Sequence, residues 1–194
     1  MRSFIVASES ALAGDGFLLD DVPGTSGRLD VLARCIRAAL LVSHGVRRDT
    51  RLYLVLGGGP HAPITVRFAG ESAKFLRPDE RAGAVLLQKV LAHAATAGPE
   101  LHAVREGIAL ARGGVEIAAA DVGDARRFVL VEGAPDLRSV PKWDGDTAFL
   151  LGDHRGLAAP ARAAFGDATE VGLGPISVHT EDAIVLATNE LDRR

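Results

Sequence analysis

The sequence has one cysteine, no long apolar run and almost no excess of charge. Because Cys35 is the single cysteine among 194 residues, no internal disulfide can form, and a reducing compartment is favoured. No apolar run approaches the roughly 20 residues that a membrane-spanning helix needs. The apolar start, Met1–Ser8, is too short for a secretory signal before acidic residues follow. We therefore expect a cytoplasmic protein without a membrane partner.

The charge balance is nearly even. The 22 Lys and Arg residues against 25 Asp and Glu residues leave a net charge of −3, which argues weakly against a protein that coats RNA with one broad basic face. A local basic surface is still compatible with the sequence, because basic residues cluster within 28–51 and within 67–81. His44, His154 and His179 are scattered and lack Cys or clustered acids at ligand spacing, so we expect no metal site.

The composition, with 47% hydrophobic and 24% charged residues, is typical of a globular protein, and we expect one domain over residues 1–194. Apolar runs alternate with helical patterns, which predicts an α/β fold. Strands are expected at residues 4–7, 52–56, 64–68, 128–131, 148–151 and 168–171, the last three as parallel core strands.

Three helices are predicted from the periodicity of apolar residues. The first runs from Leu29 to Ser43, and the second, expected to be largely buried, runs from Asp79 to about Ala97. The third runs through Asp192, with Thr180 as its N-cap. The range 101–123 is ambiguous between strand and helix.

Two loops that follow apolar strands indicate a small-ligand site. They are Leu151–Gly156 and Val171–His179, and both are rich in glycine, which lets the main chain approach a ligand closely. Neither loop carries a dinucleotide fingerprint or a P-loop motif. Taken alone, the two loops could equally be strand-to-helix turns that need glycine.

Several segments together resemble the archaeal-type tRNA pseudouridine N1-methyltransferase family, of the SPOUT class. Their order and spacing make a chance agreement improbable, although each short motif alone is weak. The segments are Asp21–Leu32, Arg34-Cys35, Ser43–Asp49, Ser72–Glu80 around Pro78-Asp79-Glu80, Leu151–Gly156, Leu173–His179 and Asn189–Asp192.

The resemblance implies a SPOUT-type parallel sheet flanked by helices, with a C-terminal trefoil knot. The knotted cofactor site would occupy about residues 125–194. The resemblance also implies a homodimer that uses S-adenosylmethionine (SAM) and methylates N1 of a pseudouridine in the T-arm of tRNA; a related family modifies ribosomal RNA. The methyl group would pass directly to a base that has been flipped out of the RNA.

The resemblance also assigns roles to residues. Arg28, Asp30, Arg34 and Arg47 would lie on the RNA side, where arginine forks and an acceptor are needed. For the N1 proton we expect Asp30 as the catalytic acceptor, with water as the alternative. The cofactor would be bound by Leu130, Gly152, Leu173, Gly174, Pro175, Ile176, Ser177, Val178 and Ala183.

The sequence departs from the family pattern at three cofactor-loop positions. Family members usually have cysteine where this chain has Ala183, and they often have serine where it has Gly172 and Gly174. We expect SAM binding to survive the first change and the loop to be looser after the other two.

Other interpretations of the same residues stay open at this point. The chain could be a non-catalytic SPOUT-like dimer that binds RNA or cofactor, or an unrelated nucleotide-binding α/β protein that would bind ATP and not SAM. Without the resemblance, Arg28 and Arg34 would lie on a solvated helix face, and Arg47 would belong to a weak surface ion pair. Cys35 is expected to be a core residue and not a nucleophile.

Overall fold

A computed structural model describes all residues from 1 to 194. Along the chain the elements are β1 (Arg2–Leu12), α1 (Val22–Thr25), α2 (Leu29–Leu40), β2 (Leu41–Val42), β3 (Gly45–Val46), β4 (Thr50–Gly58), β5 (Ile64–Ala69), α3 (Glu80–Leu91), β6 (His102–Arg105), β7 (Ile108–Arg112), α4 (Val115–Asp121), β8 (Arg126–Leu130), β9 (Thr147–Gly152), α5 (Ala159–Ala164), β10 (Thr169–Val171) and α6 (Thr180–Asp192). Short 3₁₀ turns occupy Ala94–Thr96 and Leu137–Ser139.

One eight-stranded sheet, in the order β10-β8-β9-β1-β4-β5-β7-β6, organises the molecule. From β10 to β4 every pairing is parallel, as predicted for the strands of the C-terminal third. From β4 to β6 the pairings are antiparallel, so the expectation of a parallel sheet holds only for the larger part. The reason is local: residues 59–63 between β4 and β5 are too few for the crossover that a parallel pair requires.

Helices cover both faces of the sheet. Successive residues of β1 point to opposite faces, so that Phe4 and Val6 join a cluster of 36 buried residues that includes α2, α3 and α6. Ile5 joins a cluster of 11 buried residues under α4 on the other face. No helix is both long and apolar enough to span a bilayer.

Several predicted element boundaries differ from the structure. The first strand extends to Leu12, since Ser8 pairs with Leu56 of β4 and, after an irregularity in register, Leu12 pairs with Gly58. The predicted helix over 29–43 ends at Leu40, where the chain turns into the β2–β3 hairpin. The ambiguous range 101–123 contains two strands, β6 and β7, and then the helix α4.

The second and third helices also differ from their predictions. Asp79 caps α3, which ends at Leu91. Four of its seven apolar residues are buried, among them Leu87, while Ala82, Val85 and Leu86 remain partly accessible. The third helix, α6, reaches Asp192 as predicted, but its N-cap is His179, and Thr180 is the first helical residue.

Candidate active site

A cavity of about 530 Å³ opens where β8, β9 and β10 end, beside the first turn of α6. In an open α/β sheet this edge, outside the carboxyl ends of parallel strands, is where ligands bind. The structure brings eight of the nine predicted cofactor residues to this cavity, while Pro175 does not line it. The eight are Leu130, Gly152, Leu173, Gly174, Ile176, Ser177, Val178 and Ala183.

The loop after β9 is folded tightly against itself. Gly156 donates its main-chain N–H to the carbonyl of Asp153 at 2.9 Å, which closes a turn. A Cβ at Gly152 would lie 2.2 Å from the carbonyl carbon of Gly156, so only glycine fits there. The hydroxyl of Thr180 donates to the carbonyl oxygen of Gly152 at 2.9 Å. This bond explains why Thr180 faces the site and does not cap α6.

The loop after β10 is held by the segment that follows β8. Gly172 donates to the carbonyl of Pro135 at 2.8 Å and accepts from the N–H of Leu137 at 2.9 Å. A Cβ at Gly172 would lie 2.6 Å from the carbonyl oxygen of Ala134. The expectation that glycine loosens this position is therefore wrong, because Gly172 is part of a close main-chain contact.

The rest of that loop presents unused main-chain donors to the cavity. The N–H groups of Leu173, Gly174 and residues 176–178 donate no hydrogen bond within the protein. Main-chain N–H groups need a partner when they are covered. A ligand in this cavity could therefore be recognised by the backbone without a dedicated polar side chain.

A second, larger cavity of about 820 Å³ adjoins the first. The two cavities share Asp153, Gly156, Ser177, Val178 and Thr180. The rest of the second cavity is mostly polar and contains both arginines and histidines. The remaining lining residues are Arg28, Val31, Arg34, His154, His179, Glu181 and Asp182.

Asp30 does not line either cavity and is 2% exposed. It accepts two hydrogen bonds from Arg28, at 2.9 and 3.0 Å, and one from Arg34 at 3.0 Å. Burial alone would raise the pKa of Asp30, but the two guanidinium groups outweigh it and hold the pKa below its ordinary value. The geometry therefore gives Asp30 the role of fixing two arginines and does not place it where a substrate proton could reach it.

Arg34 joins three helices through its guanidinium group. Besides Asp30 on α2, it contacts Glu80 on α3 at 2.8 Å and Glu181 on α6 at 2.6 Å. Arg28 precedes α2 in the left-handed region, with φ at 71°, and its side chain is 42% exposed. Both arginines reach the second cavity, as their predicted contact with a substrate requires. Carboxylates engage two of the five N–H donors of Arg28 and three of the five of Arg34, so both keep free donors.

Arg47 lies away from both cavities. It contacts Asp192 with two hydrogen bonds, at 2.7 and 3.0 Å, near the end of α6. From Thr180 to Asp192 the rise of an α-helix amounts to about 18 Å. The structure thus separates Arg47 from Arg28 and Arg34. Cys35 is fully buried in α2, and burial raises the pKa of its thiol, which matches a core residue.

Asp153 was not among the candidate residues of the sequence analysis, although its motif was. It is 8% exposed and lies on the border between the two cavities. The sequence offered one signal for Asp153: a carboxylate that directly follows a buried strand and a glycine. Ser8, whose hydroxyl donates to its carboxylate, is 145 positions away and could not be inferred from the motif.

Known proteins resemble this chain over its full length. Over residues 1–194 the sequence matches the family described as "SAM-dependent RNA methyltransferase". It is 35% identical over 197 residues to the tRNA (pseudouridine(54)-N(1))-methyltransferase of Methanococcoides burtonii, which covers 100% of this chain and 96% of that protein. The protein of the same name from Halobacterium salinarum is 38% identical over 195 residues, covering 99% of this chain and 96% of that protein.

Among solved structures, the fold is similar to that of Archaeoglobus fulgidus Nep1 bound to S-adenosylhomocysteine. The TM-score is 0.68 at 16% sequence identity, and the match covers 99% of this chain and 97% of that chain. This similarity confirms the mixed α/β fold with a helix-flanked, mostly parallel sheet. Because the family match and the relatives' identity extend over the full length, this chain belongs to the SAM-dependent RNA methyltransferase family.

Proposed function

We propose that this chain is a SAM-dependent methyltransferase that methylates N1 of a pseudouridine in tRNA. Its archaeal relatives carry a name that specifies pseudouridine 54 of tRNA, and we assign the same nucleotide to this chain. The observation that carries the proposal is the pair of adjoining cavities, one at the strand ends and the other polar and bounded by arginines. A transfer between two molecules requires two such compartments that meet.

The first cavity fits SAM in size and chemistry. Its volume of about 530 Å³ lies within the range for small-molecule and cofactor sites. Leu130, Leu173 and Val178 offer apolar contact for a purine ring, and the free N–H groups of residues 173, 174 and 176–178 offer hydrogen bonds to its nitrogens. Ala183 contributes a methyl group to the same wall, so the cysteine usual in the family is not needed for packing.

When bound, SAM supplies a methyl group that is activated by its sulfonium. The residues of this chain provide position, since the loops after β9 and β10 are fixed by Thr180 and by the segment 131–137. Alignment of the two reacting atoms can account for several kcal/mol of the barrier, on the order of 7–11 kcal/mol in favourable systems.

The second cavity is the proposed place of the flipped base. Arg28 and Arg34 line this cavity, and we propose that both contact the RNA around the base. Asp30 and Glu181 keep these arginines in place before RNA arrives. Arg47 stays a proposed contact with a more distant part of the RNA, because it lies at the other end of α6.

Two measurements test this function. Isothermal titration of SAM, with ATP as the control ligand, should show saturable binding of SAM only. Incubation with a tRNA that carries pseudouridine 54 should then yield N1-methylpseudouridine by mass spectrometry of the nucleosides, while the same tRNA with uridine at that position should yield none. SAM binding without any methylation of the pseudouridine tRNA would leave only the non-catalytic alternative.

We also propose that the C-terminal part forms the trefoil knot of SPOUT proteins. Supporting this, the chain around 171–172 bonds to the segment 131–137, and the side chain of Arg194 then donates to the carbonyls of Leu137 and Val140, at 2.6 and 3.1 Å. Residues 131–140 are thus contacted both by the chain that precedes α6 and by the residue that ends the chain after it. Such contacts are expected when a chain is threaded through a loop. Single-molecule stretching from both termini tests it, since a knotted chain stays shorter than the roughly 3.3–3.6 Å per residue of a fully extended chain.

Finally, we propose that the chain works as a homodimer. Exposed apolar side chains gather beside α2 and α6: Phe75 is 83% exposed, Val185 47% and Val42 45%, and they border one groove. Apolar patches of this kind on a protein surface are typical of interaction sites. A second copy of this chain is the occupant that the family resemblance implies.

A further inference from the structure

Asp153 is the only ionisable residue that lines both cavities, and its side chain is 2% exposed. The two cavities are the proposed places of the cofactor and of the base, so the methyl group must cross between them at this border. A group that reacts at this border lies beside Asp153. This inference rests on the proposed function, because it concerns the proton that the reaction must remove.

The carboxylate of Asp153 is held in one orientation by two donors. The hydroxyl of Ser8 donates to Oδ2, and the main-chain N–H of Arg155 donates to Oδ1 at 2.8 Å. Ser8 itself is 3% exposed, and its oxygen accepts the N–H of Ala11 at 3.0 Å. Because that contact uses a lone pair of the hydroxyl oxygen, the hydroxyl proton is free to point to Asp153, whose Oδ2 accepts it.

The other acids of the region are less suited to accept a proton from the base. Asp30 faces away from both cavities and is bound by two arginines. Glu181 is engaged by Arg34 at 2.6 Å. Asp182 lies only in the second cavity, so it is not at the border where the methyl group passes.

We propose that Asp153 is the catalytic base of the methyl transfer. The N1–H bond of the pseudouridine breaks, and its proton goes to the Asp153 carboxylate. The electron pair of N1 forms the new bond to the methyl carbon, and the carbon–sulfur bond breaks with its pair going to sulfur. The products are N1-methylpseudouridine, neutral S-adenosylhomocysteine and protonated Asp153, which returns its proton to solvent.

Ser8 is the positioning residue for this base. Other charged and titratable groups face Asp153 as well: His154 next to it, with Nδ1 at 3.6 Å from Oδ2, and the side chains across the second cavity. These are Arg28, Arg34, His179, Glu181 and Asp182. Replacing Ser8 leaves all of them in place, so that a change in pH dependence reports on the lost hydrogen bond to the carboxylate.

The test is single-turnover methylation of pseudouridine-containing tRNA by the full-length protein across pH. Asp153→Asn should lower the rate about 100-fold or more, as expected for loss of a general base. Its dissociation constants for SAM and tRNA should stay within about threefold of wild type, which also shows that the variant is folded. Asp124→Asn, at an exposed position outside both cavities, is the matched control and should keep the wild-type rate.

Ser8→Ala provides a second, independent readout. Loss of a donor makes a carboxylate easier to protonate, so the acid limb of the pH–rate profile should lie at higher pH than in wild type. If the wild type is active and Asp153→Asn is equally active, or if the pH–rate profile of Ser8→Ala is unshifted, this inference is overturned and the proposed function stands. A wild type that binds SAM and does not methylate the tRNA would overturn the proposed function, and this inference with it.

Discussion

Replacing Asp30 with asparagine should weaken the fold far more than the chemistry. The side chain of Asp30 is 3% exposed and accepts three hydrogen bonds from two guanidinium groups. Asparagine has one acceptor oxygen, and its NH₂ group would face a cation. Arg28 and Arg34 would therefore lose most of the negative charge that compensates them at the start of α2.

The magnitude follows from burial. Removing one partner of a buried ion pair lowers the free energy of unfolding by roughly 3–5 kcal/mol. The low end applies here because both arginines are partly exposed and Arg34 keeps its contacts with Glu80 and Glu181. We expect a loss of about 3 kcal/mol. For a protein of this size, with an urea m-value of roughly 2–3 kcal/mol/M, the midpoint of unfolding should fall by about 1–1.5 M.

The pH dependence gives the same prediction a second test. The folded-state pKa of Asp30 is lowered, so its contribution to stability is complete above the unfolded value, near pH 4, and is lost as pH falls through the folded value. The stability gap between wild type and Asp30→Asn should therefore be constant at neutral pH and narrow in acid.

Urea unfolding, followed by circular dichroism at pH 7 and at lower pH, measures both effects. Asp124→Asn is the control and should change the free energy of unfolding by less than about 0.5 kcal/mol. Asp30→Asn should keep a turnover within a few-fold of wild type when assayed where it is folded. A variant as stable as wild type would refute the structural reasoning, and a stable but inactive one would restore Asp30 as the base.

Three further predictions concern the cofactor cavity, the apolar patch and the distant arginine. Ala183→Trp should raise the dissociation constant of SAM at least 100-fold by filling the cavity, whereas Leu186→Trp, on the exposed side of the same helix, should leave it unchanged in calorimetry. Phe75→Glu should raise the dimer dissociation constant about 100-fold or more, which light scattering over a dilution series would detect; an unchanged dimer places the interface elsewhere. Arg47→Ala should weaken tRNA binding by less than about 1 kcal/mol without changing the rate, and a lost rate would contradict its placement.

The sequence predicted the sheet best where strands are buried on both sides. The runs around 128–131 and 148–151 are apolar throughout because helices cover both faces, and this pattern identified them as parallel strands. At the edge of the sheet the signal was missing: β6 spans His102–Arg105, which is mostly exposed and polar. The hairpin at 41–46 was missed because helical periodicity continues in the sequence beyond Leu40.

The site was predictable to the extent that it depends on local sequence. Glycines after apolar strands indicate a ligand loop, and the structure places those loops on one cavity. The environment of Asp30 depends on residues far along the chain, since Arg34 also binds Glu181, 147 positions away. Likewise, Ser8 and Asp153 are 145 positions apart, and no local pattern joins them. Pairing over such distances is set by the fold, so the chemistry of both carboxylates became visible only in three dimensions.

The central place of β1 has a consequence during protein synthesis. This strand is hydrogen-bonded to β4 on one side and to β9 on the other, where Arg2 is the partner of Thr147. At about 5–20 residues per second, a ribosome needs roughly 7–29 s to make the chain between these two partners. For that time one edge of an apolar strand stays open on the nascent polypeptide. Chaperones that shield strand edges would therefore act on this protein before the site that it carries exists.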